Sequence, residues 1–156
     1  LKETPMDMSA SVVIRHARAE DLPAVLPLMA LLNPDDPPTD SVQAGRVWDS
    51  ILADKRTSYL LAEVAGEVVG ACCLVVVPNL TRGLRSFAVI ENVIVHPRWR
   101  RNGIATRLLE AAVERARAEG CYKAMLMSNR KRVEAHPLYR ACGFESDSKL
   151  GFDMRL

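Results

Sequence analysis

IENVIVHPRWRRNGIAT, residues Ile90 to Thr106, changes character in its middle. Its first half is apolar and largely β-branched and reads as the end of a strand, Phe87–Val95, closed by His96-Pro97. Its second half is a basic turn, after which Ile104, Leu108, Ala111, Ala112 and Val113 repeat at helical spacing. They predict a helix over Asn102–Glu119, with Gly120 where a C-terminal cap belongs. The first turn of a helix presents unpaired N–H groups and a partial positive charge, and both attract an anion. Arg98, Arg100 and Arg101 add formal charge there, Gly103 lets the backbone approach a bulky ligand, and Ala105 keeps the next contact small. A pyrophosphate fits this chemistry. The spacing is neither that of a Walker loop nor that of a dinucleotide-binding G-x-G-x-x-G turn. On spacing alone, a solvated basic turn fits the same residues.

Outward from this unit, Val12–Arg15 reads as a strand and Asp21–Leu32 as a helix with Pro23 in its first turn. Asn33–Asp40 is a loop, and Ser41 caps a second helix to about Asp54. Ser58–Val64 and Val68–Val77 form a hairpin about a Gly66-Glu67 turn, and Asn79–Arg85 is a polar loop. After the long helix come a strand at Ala124–Met127, a short helix at Glu134–Cys142 with Pro137 in its first turn, and a strand at Gly151–Leu156. This order predicts an α/β (α+β) mixed sheet with helices on both faces.

The 156 residues suit one domain, placed at 12–156, with residues 1–11 expected to be a disordered leader or expression remnant. Apolar residues are 49% and charged residues 26%, which excludes a disordered chain, and no apolar run is long enough to span a membrane. A net charge of +2 gives no reason to expect a nucleic-acid partner, even with Arg98-Trp99-Arg100-Arg101 as a basic patch. Cys72, Cys73, Cys121 and Cys142 contain no C-x-x-C and read as free thiols in a reducing, cytoplasmic setting. His16, His96 and His136 show no ligand spacing, so no metal is expected.

Two blocks carry a family resemblance. Arg100-Arg101-Asn102-Gly103-Ile104-Ala105 matches R/Q-x-x-G-x-G/A, and Ala135 to Phe144 resembles an A-x-x-x-Y-x-x-x-G-F ending. In that order and separation they resemble the GNAT N-acetyltransferase superfamily, from about Val12 to Phe144. Ile90–Val95 and Gly120–Lys123 look most like glucosamine-6-phosphate N-acetyltransferases. Arg132–Phe144 looks more like aminoalkylphosphonate and aminoglycoside acetyltransferases. The resemblance implies a mostly antiparallel sheet with one splayed parallel pair, and acetyl-CoA as donor to the primary amine of a small molecule. A protein lysine or N-terminal acetyltransferase and a non-catalytic acyl-CoA-binding module are the alternatives, and a homodimer is an admissible assembly.

It further implies that pantetheine pairs with the backbone of Val93, Ile94 and Val95. Arg100, Arg101, Asn102, Gly103, Ile104, Ala105 and Thr106 then hold the pyrophosphate, with Ser128 and Asn129 near the thioester. Arg101 stands where the family often has Gly. Acetyl transfer needs a neutral amine and releases a thiolate, so a base and an acid are expected. Tyr139 is the acid by resemblance. Glu91 is the base candidate: on an ideal strand it shares a face with Phe87, Val89, Val93 and Val95, and an arginine-paired structural acid is the other reading. Asn92 replaces an acid that glucosamine-6-phosphate enzymes often carry. Asp35 and Asp36 on one loop and Arg82 on another, with Arg85, are candidates for holding a cationic amine and an anionic group, and His136 for touching substrate.

Overall fold

The computed structural model describes residues 11–156; the expected leader lies outside them except for Ser11. The elements are β1 (Val13–His16), α1 (Leu22–Leu32), α2 (Ser41–Ala53), β2 (Thr57–Val64), β3 (Glu67–Val77), β4 (Phe87–Val95), α3 (Ile104–Ala118), β5 (Ala124–Leu126) and α4 (His136–Ala141). The five strands lie in one sheet in chain order. Neighbours from β1 to β4 are antiparallel, and β4 and β5 are parallel. This is the expected mixed sheet with its single parallel pair.

Apolar residues of the strands divide between two faces. Leu60, Ala62, Cys72, Leu74, Ala88, Ile90 and Val95 pack with Ile104, Leu108, Leu109 and Ala112 of α3. Tyr59, Leu61, Ala71, Cys73 and Ile94 pack with Val25 and Leu28 of α1 and Trp48 of α2. Period-two alternation in the strands against period-3.6 stripes in the helices produces this division. Gly70 sets the approach of α3, since a Cβ there would stand 3.0 Å from the Ile94 carbonyl and 3.2 Å from Leu108 Cδ1.

Several boundaries differ from the sequence reading. Asp40, not Ser41, caps α2: its carboxylate accepts the Gln43 N–H at 2.7 Å, three residues on, as an N-cap side chain does. The β2–β3 turn is centred on Ala65 and Gly66, both at positive φ, as the type I′ form of a two-residue hairpin requires. Gly151–Leu156 is not a strand, since nothing among the described residues pairs with it. Among the described residues, no helix is long and apolar enough to cross a membrane.

One ion network ties β1 to the start of α1. Arg15 donates to Asp21 through both terminal nitrogens, at 2.7 and 2.8 Å, and through Nε to Glu63 at 2.7 Å. Asp21 is buried and also accepts the Arg18 N–H at 2.7 Å. The Arg15 hydrogen bonds hold its carboxyl below the usual range, against the opposing effect of burial. A depressed folded-state pKa stabilises above the unfolded value, about 3.9, and that contribution disappears as pH falls through the folded value. Asp21→Asn should therefore cost about 3 kcal/mol at pH 7 and less at pH 3. Urea melts of both proteins across that range check the convergence.

Candidate active site

β5 leaves β4 early. Their parallel register runs only from Ala88 opposite Ala124 to Ile90 opposite Leu126. β4 continues through Glu91 to Val95 with no strand beside it on that edge among the described residues, so a wedge opens between the two strands. Within this free length the register to β3 slips, with Cys73 opposite Glu91 but Ala71 opposite Ile94. Asn92 is the extra residue, at φ 54. The bulge reverses the facing of everything after it. Ala88 and Ile90 face α3 before it, and Val93 and Val95 face α3 after it.

Glu91 consequently does not share a face with Val93 and Val95, as an ideal strand predicts. It lies on the α1 side opposite Cys73, and it is exposed rather than enclosed in an apolar row. The backbone follows the same geometry. His96 N–H donates to the Val69 carbonyl at 2.8 Å, so the peptide groups of Ile94, two residues earlier, also turn toward β3. The polar groups of Val93 and Val95 face the wedge instead. Ile94 is thus misplaced as a backbone partner for a ligand in the wedge.

Beyond β4 the chain makes a tight turn at Pro97–Trp99 and reaches α3 through two left-handed residues, Arg101 at φ 64 and Gly103 at φ 71. Trp99 is buried and anchors the turn in the α3-side core. Asn102 Nδ2 donates to the Trp99 carbonyl at 3.1 Å and to the Arg100 carbonyl at 3.2 Å, which folds the loop on itself. Arg100 turns back, its Nε 3.1 Å from the Val95 carbonyl. The first helical hydrogen bond is Arg107 N–H to the Gly103 carbonyl at 3.1 Å, so the N–H groups of Ile104, Ala105 and Thr106 precede any helical partner. A Cβ on Gly103 would meet nothing within 4 Å, so its role is the left-handed turn and the open space before the helix. Free donors, a helix start and arginines meet here, as an anion site requires.

Tyr139 sits half-buried on α4, with its ring edge-on to Phe144 at 6.5 Å. Burial raises its pKa, the Arg132 charge opposes that rise, and the Glu91 charge adds to it. The phenol therefore keeps its proton at neutral pH, and the charges of Glu91 and Arg132 reach it. His136, the first residue of α4, is tied elsewhere: its Nε2 lies 3.1 Å from the Asn129 carbonyl. Asn129 shapes the turn after β5, since its Oδ1 accepts the Lys131 N–H at 2.9 Å. Ser128 follows β5 beside it.

The acceptor candidates divide. Arg82 and Arg85 converge, each 5.9 Å from the Tyr122 ring centre, and Lys123 joins them at 5.6 Å. Asn79 braces their loop by donating to Thr81 and to the Arg85 carbonyl. Asp35 and Asp36 are exposed on the α1–α2 loop, and no hydrogen bond or ion pair joins them to Arg82. Cys73 and Arg132 escaped the sequence reading as site residues. Burial and the Glu91 charge push the Cys73 thiol up to about 11, so it is neutral beside the carboxylate. Only the register through the bulge reveals that pairing. Arg132 gave no sequence signal beyond its position shortly before the Tyr139 motif.

Comparison with known proteins fits this geometry. Residues 25–144 match the acetyltransferase (GNAT) family profile. The chain is 30% identical over 141 residues to glucosamine 6-phosphate N-acetyltransferase of Trypanosoma brucei brucei, covering 87% of this chain and 90% of that protein. It is 31% identical over 148 residues to aminoglycoside N(6')-acetyltransferase type 1 of Stenotrophomonas maltophilia, covering 92% of each. A solved, provisionally named acetyltransferase of Agrobacterium tumefaciens strain C58 superposes with a TM-score of 0.87 at 37% identity, covering 92% of this chain and 99% of that one. The chain belongs to the acetyltransferase (GNAT) family, and it is an acyltransferase of the N-acetyltransferase type.

The loop at Arg101 yields a stability prediction. A side chain at φ 64 costs about 1–2 kcal/mol relative to glycine's freedom there. The greater entropy of glycine in the unfolded chain offsets about half of that. Arg101→Gly should therefore leave the protein about 0.5–1 kcal/mol more stable. Chemical denaturation with an unchanged m-value would register the gain as a higher midpoint.

Proposed function

We propose that the protein transfers an acetyl group from acetyl-CoA directly to the primary amine of a small molecule. The observation that carries this reading is the wedge between β4 and β5. It leaves Val93 and Val95 without a partner strand on that edge, where only the Val95 carbonyl is taken, by Arg100 Nε, and it ends at the free N–H groups of Ile104–Thr106. An extended amide-bearing chain suits the first set and a pyrophosphate the second. Val93, Val95 and the Arg100–Thr106 loop are thus the groups that hold the coenzyme, with Ser128 and Asn129 at the end of the opposite strand. Acetyl-CoA supplies a thioester, which an amine attacks without a covalent enzyme intermediate.

The chain's part is proton traffic and positioning. Glu91, exposed on the acceptor side, takes the proton that the amine loses as its nitrogen bonds to the acyl carbon. Tyr139, a phenol protonated at neutral pH whose pKa burial raises further, gives its proton to the sulfur as the carbon–sulfur bond breaks. Cys73 packs beside Glu91 and limits the space around it. The Arg82, Arg85 and Lys123 group on Tyr122 suits a phosphate or carboxylate on the acceptor. Asp35 and Asp36 suit a cationic amine, and His136, held by Asn129, lines the acid's helix. The relatives' substrates support this choice: one relative is named for glucosamine 6-phosphate, another for aminoalkylphosphonates. The domain at 12–156 is read as acting in the cytoplasm, in keeping with its free thiols.

A thiol-release assay over a panel of amino sugars, amino sugar phosphates, aminoalkylphosphonates, aminoglycosides and lysine peptides tests the assignment. Turnover confined to peptides would overturn the small-molecule reading, and no turnover with any amine would favour a binding module. With a working acceptor, Tyr139→Phe should lower kcat about 10- to 10⁴-fold, with acetyl-CoA affinity by calorimetry nearly unchanged. Glu91→Gln should move the pH optimum upward, because the amine must then lose its proton to solvent before attack. A pH–rate profile superposable on the wild type's would assign Glu91 to structure alone.

A further inference from the structure

Glu91 stands at the end of an apolar row. Ala88 and Ile90 of β4 face α3, so Phe87, Val89 and Glu91 share the opposite face, ahead of the bulge at Asn92. The ladders supply their neighbours: Cys73 lies opposite Glu91, Val75 and Met125 flank Val89, and Val77 lies opposite Phe87. Continuing the parallel register by one residue puts Lys123 beside Phe87, and its Nζ is 5.3 Å from that ring's centre. Arg82 and Arg85 meet Lys123 around the Tyr122 ring. A carboxylate thus marks one end of the row and a group of cations the other, with apolar side chains between. α1 and α2 cover this face at Tyr59, Leu61, Cys73 and Ile94. Among the described residues, Val77, Phe87, Val89 and Met125 pack into neither core. None of these four is buried, and Met125 is 38% exposed.

We propose that this strip is the bed of the acceptor's body. The acceptor is then an elongated amphiphile, with an amine at one end, an anion at the other and a hydrocarbon segment between them that runs from Glu91 to Lys123. The inference rests on the proposed acetyl transfer for the place of the amine, and adds the span and the apolar middle. Charge complementarity fixes both the occupant and its direction, since the two ends of the strip match the two ends of such a molecule. The middle discriminates by hydration. Hydrocarbon laid on Val89 and Met125 leaves water favourably, whereas sugar hydroxyls there lose water and find no partner on these side chains. From Phe87 to Glu91 the strand rises roughly 13 Å at ~3.3 Å per residue, and the Lys123 and Glu91 side chains can lean to shorten the gap to roughly 10 Å. At ~1.2 Å per bond of an extended chain, that span takes about seven to ten methylenes between amine and anion. An acceptor with only a few carbons reaches one end alone.

Calorimetry on the full chain in the presence of coenzyme A, with ω-amino carboxylates and ω-aminoalkylphosphonates of about 2 to 12 methylenes, tests the span. Affinity should rise about two- to threefold per methylene, reach its maximum at about seven to ten and fall beyond it. At that length the alkylamine without an anion should bind about tenfold more weakly, and Lys123→Gln should remove the difference. Met125→Asp, at an exposed position, should weaken the best ligand about tenfold, with acetyl-CoA affinity and circular dichroism unchanged. Thiol release over the same series separates this inference from the transfer reading. A length maximum in binding without thiol release would keep the span and remove the transfer. Calorimetry without a length maximum, or glucosamine 6-phosphate preferred to every member of the series, would overturn the span even where thiol is released. Met125→Asp that binds the series normally but alters the mass in light scattering would give the strip to a second chain and overturn the proposal as well.

Discussion

The left-handed Asn92 inserts one residue into β4, and the chemistry of the molecule depends on that insertion. Without it, Val93 and Val95 would continue the row of Glu91 on the α1 side and be withdrawn from the core that packs on α3. With it, the carboxylate stays on the α1 side while Val93 and Val95 cross to the α3 side. The same twist turns the Val93 and Val95 peptide groups to the free edge. One backbone torsion thus separates a face carrying Glu91 and Cys73 from an edge where Val93 and Val95 have no partner strand, the two sides to which the proposed function assigns acceptor and coenzyme.

That torsion is held by its surroundings. An L-residue in the left-handed region is disfavoured by about 1–2 kcal/mol, although asparagine tolerates it better than most. The hydrogen-bonded register to β3 on either side of the slip fixes the two halves of β4, and burial of Ile90, Ile94 and Val95 fixes their faces. α3 closes against the same strand through the space left at Gly70. Arg101 and Gly103 repeat the device at the helix start, with Trp99 as the anchor. Local strain at the site is thereby supported by packing that extends through the sheet into the core.

Much of this was legible in the chain. Periodicity located α1, α2, α3 and the long strands β2, β3 and β4, because their apolar rows are long, whereas β1 and β5 are read from short apolar runs and α4 from Pro137 and Gly143 at its ends. The basic turn before Gly103 marked a helix start with free N–H groups, because these follow from geometry alone. Tyr139 could be placed only through its motif, since nothing about a tyrosine between Leu138 and Arg140 marks it as an acid. What escaped was whatever depends on register. The facing of Glu91, the turning of Ile94 toward β3 and the pairing of Cys73 with Glu91 all follow from one inserted residue, and an ideal strand pattern cannot reveal it. Gly151–Leu156 shows the reverse case: alternation specifies a strand, but a strand also requires an edge to pair with.

The separation of ends along β4 completes the logic. Its C-terminal end leads into the arginine loop and the start of α3, while its N-terminal end lies beside Tyr122, Lys123, Arg82 and Arg85. Two basic groups therefore flank the strand, with the single carboxylate Glu91 between them. A phosphate-bearing coenzyme and an anion-bearing amine can each be drawn to its own end, and their reactive groups then meet near Glu91. Coulomb attraction alone does not distinguish the two anions. The difference lies in the donors: backbone N–H groups at a helix start suit a pyrophosphate close to the chain, whereas guanidinium and ammonium groups on an exposed loop suit a mobile, smaller anion. On the proposed function, selectivity for the acceptor belongs to the Asn79–Arg85 loop and affinity for the donor to the wedge.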